Sequence, residues 1–253
     1  MHEYRTFPPP HLLSPGMDKF LRTGAGCDFT DMLDLLPASW APILMGGLPR
    51  NLLMNRLGGA GINPVDADIV VFGAGSIDDL RSKLRGTVCS TNTFGGIKCQ
   101  LRRNGMVFDL WRAEDHTNMP KSPAPTVRSL LEHNLLNVDA VAWEPGTGVL
   151  HDLGCLDSIA ERRIDLVGKQ GISNSFLAAQ AAHMLIVVFK TGFEISVNAR
   201  AFLADASARS KPGEIARILQ RKQPASANQI QTIWNRLLSG GTVPCQTPRV
   251  VTR

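Results

Sequence analysis

The 253-residue chain is 43% hydrophobic and 19% charged, a balance typical of an ordinary globular protein that excludes disordered and fibrous classes. Its longest strongly apolar stretch, 181–189, is far shorter than the ~20 residues of a membrane-spanning helix, and the first twenty residues lack the pattern of a secretory signal. The five cysteines are scattered and form no CxxC pair, which excludes a disulfide framework and argues against a zinc site. We therefore expect a cytoplasmic protein without a membrane partner.

The net charge of +5 is unevenly distributed along the chain. Residues 207–253 carry eight Lys or Arg but only one acidic residue, Glu214, so the rest of the chain is mildly acidic. A basic end attracts polyanions, although a solvated helical surface has the same composition. Both interpretations stay open at this point.

The pattern of apolar residues divides the chain into four parts. Residues 1–37 are expected to form an N-terminal arm with one short helix at 29–36. A sheet-and-helix domain is expected over 38–170, a helical region over 171–240 and a flexible tail over 241–253. The strands are predicted at 41–45, 66–72, 87–91, 97–102, 106–111, 138–143, 149–152 and 164–167, and the later helices at 176–190, 199–206, 214–220 and 230–238. Two further helices are predicted at 51–57 and 77–84, and Asn104-Gly105 is a strong hairpin signal.

Two aspartates on the predicted strand 66–72 are the main candidates for chemistry. Residues i and i+2 of a strand point to the same face, so Asp66 and Asp68 project together. Paired carboxylates suit hard divalent cations, which prefer oxygen ligands. Asp109 lies on another predicted strand, and three carboxylates would converge if that strand were next to the first, an arrangement typical of two-metal phosphoryl chemistry. On its own, a pair of aspartates in this spacing is more often a turn or solvated surface.

A glycine pair precedes these aspartates by about twenty residues. Gly46 and Gly47 follow a predicted strand, and Arg50 and Asn51 begin a predicted helix. Backbone N–H groups at such a turn can approach a phosphate closely, and the helix N-terminus adds positive potential. Arg50 can add a bidentate phosphate contact. The order strand, Gly-Gly, Arg, helix, strand with two aspartates is much more specific than either motif alone.

This order resembles a signature of the poly(A) polymerase head domain, which bacterial poly(A) polymerases share with class II CCA-adding tRNA nucleotidyltransferases. The segment GGLPRNLLMNRLGGAGINPVDADIVV is similar to the family pattern GG-x-x-R-[DN]-x-L-L … D-x-D. The similarity continues through LLNVDAVAWEPGTGVLHDLGCLDSIAERRIDLV and NSFLAAQAAHMLIVVFKTGFEIS, and therefore covers roughly residues 40–200.

The resemblance implies an α+β fold, a polymerase-β-like palm with a small mixed sheet backed by helices, followed by a short α-helical neck and tail. It implies that Gly46, Gly47, Arg50, Asn51 and Asp139 bind a nucleoside triphosphate. It also implies that the three aspartates named above hold two Mg²⁺ ions, which Mn²⁺ could replace, although the family's motif is looser at Asp109. RNA is the implied acceptor, and the charge pattern leads us to expect that it binds the basic C-terminal helices at Arg217, Arg221 and Lys222.

The sequence also departs from the family pattern. The positions of the family's Arg-Arg-Asp motif are occupied by His133, Asn134 and Leu135, and the family's core Asn is Asp139. The neck lacks the usual arginines, and Glu214 with Arg217 is only a weak match to the family's base-selecting motif. His133 and His116 are candidate substitutes for the missing polar contacts.

Two functions stay open from the sequence. The first is a template-independent, metal-dependent nucleotidyltransferase that transfers a nucleoside monophosphate to an acceptor, with an RNA 3′ end favoured over a protein or a small molecule. The second is a catalytically inactive head domain that acts as an RNA-binding or regulatory module. The missing arginines favour the second function, whereas the retained glycine pair and aspartates favour the first.

Overall fold

Strands and helices alternate through the first two thirds of the chain, and helices follow. A computed structural model describes residues 2–58, 66–73, 75–84, 87–92, 95–103, 105–115, 124–168 and 172–239. The strands in these ranges are β1 (Arg5–Phe7), β2 (Ala41–Met45), β3 (Asp66–Phe72), β4 (Val88–Thr91), β5 (Ile97–Gln100), β6 (Val107–Arg112), β7 (Val141–Trp143), β8 (Leu150–Asp152), β9 (Arg163–Ile164) and β10 (Glu194–Ile195). The α-helices are α1 (Ser14–Leu21), α2 (Gly24–Leu35), α3 (Gly47–Gly58), α4 (Ile77–Lys83), α5 (Val127–Glu132), α6 (Cys155–Glu161), α7 (Leu177–Thr191), α8 (Val197–Arg209), α9 (Glu214–Lys222) and α10 (Ala227–Leu238).

Eight strands form one mixed sheet in the order β1-β8-β7-β2-β3-β6-β5-β4. The pair β3–β6 is parallel, and the other pairs in this sheet are antiparallel. Central strand β3 reads Ile69-Val70-Val71, and all three residues are buried because side chains cover both faces of the sheet. A strand buried on both faces is expected to read as a continuous apolar run, which is why the sequence predicted this element correctly.

The first 37 residues contain more structure than the single short helix that the sequence predicted. Strand β1 pairs with β8 at the sheet edge, and helices α1 and α2 pack into the main core. Met17 and Phe20 of α1 and Phe29 of α2 are almost completely buried. Thr23 begins α2 by accepting a 3.1 Å hydrogen bond from the backbone N–H of Gly26. The short apolar stripe of α1 was missed because proline-rich sequence surrounds it.

The helical region after residue 172 packs against the sheet domain through α7. Its buried residues include Met184, Leu185 and Val188, and helices α8, α9 and α10 contact it. Gly192 ends α7 at φ 64°, a left-handed conformation that favours glycine. This arrangement confirms the predicted α+β architecture with a helical segment after the sheet. Within the described ranges, no helix is long and apolar enough to cross a membrane.

The remaining differences lie mostly at element ends and in short helices. β5 and β6 pair antiparallel, as the hairpin signal predicted, although Asn104 itself lies outside the described residues, as do His116 and the predicted tail 241–253. Helices α5 and α6 were not predicted from periodicity. They span six and seven residues, too few for a helical repeat to stand out.

Candidate functional site

The three candidate aspartates converge on one face of the sheet. The parallel register of β3 and β6 places Asp68 directly opposite Asp109. Asp66 lies two residues before Asp68 on the same strand and therefore on the same face. Adjacent strands are about 4.8 Å apart, so the three carboxylates share a small region. The juxtaposition that the sequence left conditional is therefore present.

The neighbouring carboxylates make the ionised form of Asp68 unfavourable. Burial, together with the charges of Asp66 and Asp109, raises the pKa of Asp68 to about 7 against the opposing effect of Lys98. A bound cation would remove the repulsion that keeps this carboxyl partly protonated. The donor set, oxygen atoms only, also suits Mg²⁺ or Mn²⁺. Asp66 and Asp68 therefore fit a divalent cation, both in the negative charge that it would neutralise and in the oxygen atoms that would bind it.

Asp109 differs from the other two aspartates because protein groups already hold it. Asn92 Nδ2 donates to its Oδ1 at 2.5 Å, and Lys98 Nζ forms an ion pair with its Oδ2 at 3.0 Å. Among the residues that the structure describes, no three His, Cys, Asp or Glu side chains form a ready-made metal site. Asp109 would have to exchange a protein partner for a metal, so its role as a ligand stays a prediction.

The glycine turn lies beside the two β3 aspartates. Gly46 has φ 64°, which favours glycine, and a Cβ placed on it would lie 3.7 Å from Asp68 Oδ2. A Cβ on Gly47 would lie 3.7 Å from Arg50 Nη2 and 4.0 Å from Asp66 Oδ1. Helix α3 begins at Gly47, so its N-terminus lies next to the carboxylates. The turn leaves room for an anion to approach both the helix N-terminus and a metal on the aspartates.

Arg50 and Asp139, both predicted to bind nucleotide, are bound to each other. Both side chains are buried, and Arg50 Nη1 donates to Asp139 Oδ1 in an ion pair. His183 Nε2 of α7 lies 2.7 Å from the other oxygen of Asp139. Although burial alone would raise it, the Arg50 charge and the His183 hydrogen bond lower the pKa of Asp139 to about 2. Asp139 therefore joins the first turn of α3 to α7 as a charged bridge.

Asn51 supports Arg50 from the same turn of helix. Its Oδ1 accepts a 3.1 Å hydrogen bond from Arg50 Nε, and its side chain is also buried. Arg50 Nη2 lies on the side of Gly47. Because two of the guanidinium nitrogens are committed to Asn51 and Asp139, the Nη2 group is the part of Arg50 positioned to meet a ligand. The two residues were predicted as separate contacts, and the structure makes them one unit.

A cleft of about 540 Å³ lies between the sheet and the helical region. Its sheet side contains the glycine turn, Asp66 and Asp68, and its helical side contains Lys222 together with residues that the sequence did not single out. The lining residues are Gly46, Gly47, Arg50, Asn51, Asp66, Asp68, Lys98, Asn134, Asp139, His183, Ile186, Val187, Lys190, Lys222 and Gln223. Partial burial and the nearby Arg50 charge lower the pKa of Lys190. The helical spacing of His183, Ile186, Val187 and Lys190 was a signal that could have identified this wall.

Several other predicted contacts are located elsewhere or are split. Lys222 lines the cleft, whereas Arg217 and Arg221 are exposed on α9. Glu214 Oε2 accepts a hydrogen bond from Lys211 N and lines a different hollow with Asn174. The nitrogen Nδ1 of His133 lies 2.7 Å from the Ser129 carbonyl oxygen at the end of α5. His183 is the histidine at the cleft.

Asn134 offers a donor at the cleft. Its Nδ2 is buried and, among the described residues, has no hydrogen-bond partner. A buried amide nitrogen without a partner costs free energy, so the site favours a ligand that accepts a hydrogen bond there. Asn134 occupies one of the positions where the resembling family has arginine.

Comparisons with known proteins identify the fold. No family model matches the sequence, and no curated protein matches it by sequence. Among solved structures, a CCA-adding enzyme in complex with ATP superposes with a TM-score of 0.61 at 18% identity, over 93% of this chain and 56% of that chain. The Thermotoga maritima CCA-adding enzyme complexed with tRNA_CCA superposes with a TM-score of 0.57 at 20% identity, over 93% and 55%. The likeness shows a shared fold.

A third structure, a tRNA-processing enzyme in its apo form I, agrees. It superposes with a TM-score of 0.55 at 15% identity, over 92% of this chain and 59% of that chain. The chain thus spans a little more than half the length of these enzymes. Because more than 90% of this chain is covered, the superposition extends over both the sheet and the helical region.

Proposed function

We propose that the protein is a template-independent nucleotidyltransferase, which transfers a nucleoside monophosphate from a nucleoside triphosphate to the 3′ end of an RNA resembling tRNA. The observation that carries the proposal is the parallel pairing of β3 with β6. It places Asp68 opposite Asp109, and the pairing of β3 with β2 puts Asp68 beside the glycine turn at the start of α3. Support also comes from the solved structures of the same fold, which include CCA-adding enzymes with ATP, CTP and tRNA_CCA.

Different residues of the cleft would bind the metal, the triphosphate and the rest of the nucleotide. Asp66 and Asp68 would hold Mg²⁺ or Mn²⁺, which when bound supplies activation of the acceptor hydroxyl and neutralisation of the pyrophosphate leaving group. The backbone N–H of Gly47, at the start of α3, would bind the triphosphate together with Arg50 Nη2, whereas the N–H of Gly46 donates to the Val141 carbonyl at 3.1 Å. The Asn134 amide would donate to an oxygen of the nucleotide.

Lysines around the cleft would complete the charge balance. Lys190 and Lys222 line its helical side and Lys98 its sheet side. Part of the negative charge of a metal-bound triphosphate lies at a distance from the metal. Ammonium groups at a cleft wall stabilise this charge. Arg217 and Arg221 are exposed on the same helix as Lys222, so an RNA acceptor bound along α9 would reach the cleft.

The decisive experiment is a label-transfer assay. The full chain is incubated with each α-labelled nucleoside triphosphate, Mg²⁺ or Mn²⁺, and tRNA lacking its terminal nucleotides, with total cellular RNA and protein as alternative acceptors. We expect transfer to RNA, and a loss of at least ~10³-fold in Asp66→Asn/Asp68→Asn because the metal ligands are removed. Asp78→Asn/Asp79→Asn is the matched control, since it removes two exposed acids from the start of α4. Transfer that survives the first double substitution contradicts the metal assignment.

An inactive binding module is the second candidate function. It is favoured by two ion pairs, Lys98 with Asp109 and Arg50 with Asp139, which occupy groups that catalysis would use. Calorimetric titration with Mg²⁺ and ATP separates the two functions when it is read beside the transfer assay. If the protein bound RNA but neither bound a triphosphate nor transferred label to any acceptor, it would be an inactive RNA-binding module and not a nucleotidyltransferase.

A further inference from the structure

Two cysteines lie directly opposite each other in the hairpin at the edge of the sheet. The antiparallel register of β4 and β5 pairs Cys89 with Cys99. Side chains of directly opposed residues point to the same face of a sheet. Burial, together with the neighbouring Cys89, raises the pKa of the Cys99 thiol to about 12. The pair is separate from the cleft residues, so a role for these thiols does not depend on the proposed function.

The hydrogen-bond pattern of the hairpin fixes the spacing of this pair. The last residue pair of the two strands is Thr91 with Ile97. The next pair, Asn92 with Gly96, is a hydrogen-bonded pair, because Asn92 N donates to the Gly96 carbonyl at 3.2 Å. Hydrogen-bonded and non-hydrogen-bonded pairs alternate along an antiparallel ladder. Counting three pairs back from Asn92 makes the cysteines a non-hydrogen-bonded pair.

Non-hydrogen-bonded pairs have the closer Cα atoms, about 4.5 Å apart. A disulfide needs a Cα separation of about 4.4–6.8 Å and Cβ atoms about 3.5–4.5 Å apart. The backbone is therefore already at the close end of the permitted range. Opposed side chains in such pairs have Cβ atoms about 4.5 Å apart, which needs only a small adjustment. A bond between these sulfurs requires no change of strand register.

The two thiols differ in their access to solvent. Cys89 is exposed on β4, the last strand of the sheet, whereas Cys99 is 3% exposed. A dissolved oxidant therefore reaches Cys89 first, and the sulfur of Cys99 is positioned to meet the sulfur of Cys89 rather than the oxidant. An exposed thiol that reacts first, next to a second thiol that resolves the product, is the arrangement of a reversible oxidation site.

We propose that Cys89 and Cys99 form a reversible intramolecular disulfide by exchange with a low-molecular-weight disulfide such as glutathione disulfide. The Cys89 thiolate attacks one sulfur of glutathione disulfide, forms a mixed disulfide and releases one glutathione thiolate. Cys99 then loses its proton and attacks the Cys89 sulfur, which releases the second glutathione. The protein dithiol is oxidised to the disulfide, and one glutathione disulfide is reduced to two glutathione molecules.

The bond would tie the edge strand to the sheet beside the two groups that hold Asp109. Lys98 precedes Cys99 on β5, and Asn92 follows the end of β4. Oxidation therefore fixes the hairpin that carries both partners of Asp109, while leaving the register of β5 and β6 unchanged.

Peptide mapping tests the proposal directly. The folded chain is incubated with glutathione disulfide, quenched with acid, alkylated and digested with trypsin. Cleavage after Arg85 and Lys98 puts the two cysteines in separate peptides, which only a disulfide can join. We expect the Cys89–Cys99 linked pair as the main product at Cys89, and its disappearance after dithiothreitol. Glutathione retained on Cys89 with Cys99 still alkylated, or Cys89 joined to another cysteine, would overturn the proposal.

Serine variants separate the roles of the two thiols. Cys99→Ser is expected to retain glutathione on Cys89, because the resolving thiol is absent. Cys89→Ser is expected to leave Cys99 reduced, because it is buried, and this exposed-site variant is not expected to disturb folding. Cys27→Ser, which removes an exposed thiol from α2, is the matched control and should keep the linked peptide. Equal modification of Cys99 in the presence and absence of Cys89 would contradict the order of reaction.

Discussion

The sheet side and the helical side of the cleft differ in charge and in origin. The sheet side presents Asp66 and Asp68, whose positions follow from the register of β3 alone. The helical side presents His183, Lys190 and Lys222, whose positions depend on how α7 packs against the sheet domain and how α9 packs against α7. One side is therefore fixed by local backbone geometry and the other by tertiary packing. Carboxylates from the sheet and basic side chains from the helices therefore face the same cleft.

Asp139 connects the two sides. It binds Arg50 at the start of α3 and His183 on α7, so it lies where the acidic and basic sides meet. A buried carboxylate held by a guanidinium and an imidazole stabilises the structure only while these partners are present. Both sides of the cleft depend on this residue, so changes there are expected to have the largest effects.

Removing the Asp139 carboxylate is expected to destabilise the protein most. Asp139→Ala leaves the buried Arg50 guanidinium without its counter-ion, and breaking a buried ion pair in this way costs about 3–5 kcal/mol. Chemical denaturation of wild type and variant measures the free energy of unfolding. Arg50→Met/Asp139→Ala should recover part of the loss, because no unpaired charge is then buried.

An exposed ion pair provides the control for that prediction. Asp205 and Arg209 pair on α8 at 2.9 Å with about half of each side chain exposed. Asp205→Ala should cost less than about 1 kcal/mol, since exposed pairs contribute little. If Asp139→Ala were no more destabilising than Asp205→Ala, the bridge between the two sides would have no energetic role.

The same bridge predicts a loss of stability in acid. Arg50 and His183 hold the pKa of Asp139 at about 2, below its ordinary value of 3.8, so the unfolded chain takes up this proton first as the pH falls. The stabilisation is complete above pH 3.8 and is lost as the pH falls through about 2. The difference between the two pKa values corresponds to roughly 2 kcal/mol in the free energy of unfolding. The stability difference between wild type and Asp139→Asn should shrink between pH 5 and pH 2.5, and a constant difference would show that Asp139 does not titrate as described.

The basic wall is expected to contribute to triphosphate affinity. Lys190→Ala and Lys222→Ala each remove an ammonium group from the cleft, and each should weaken binding of Mg²⁺-ATP by about tenfold, the effect of losing a charge-assisted contact. Calorimetric titration measures the dissociation constant. Lys211→Ala, an exposed lysine before α9, is the matched control and should leave it unchanged. Equal losses in all three variants would mean that only net charge matters.

The sheet side was predictable because its signals are local. Alternation along 66–72 placed both aspartates on one face, and the two glycines marked the turn before α3. The predicted bounds of β2 and β3 match those in the structure. Only the pairing of β3 with β6 needed the fold, because no feature of the sequence specifies which strand is next to which.

The helical side and the N-terminal segment could not be predicted in the same way. Apolar periodicity predicted a helix at 176–190, and helical spacing puts His183 and Lys190 on one face, but only the packing of α7 shows that this face lines the cleft. Arg50 and Asp139 were each assigned to a nucleotide because opposite charges 89 residues apart give no sign of their pairing. Tertiary contacts decide such cases, and local patterns do not report them.

The smallest expected effect concerns RNA binding on the outer face of α9. Arg217 and Arg221 are exposed there, so replacing both by alanine should reduce the slope of log affinity against log salt by about 1.4, since each contact to a single-stranded phosphate contributes about 0.7. Arg81→Ala/Lys83→Ala removes two exposed cations from α4 and should leave the slope unchanged. An unchanged slope in the α9 variant would confine the basic function of that helix to Lys222 at the cleft. RNA would then have to approach from the sheet side, where the aspartates repel it unless a cation is bound.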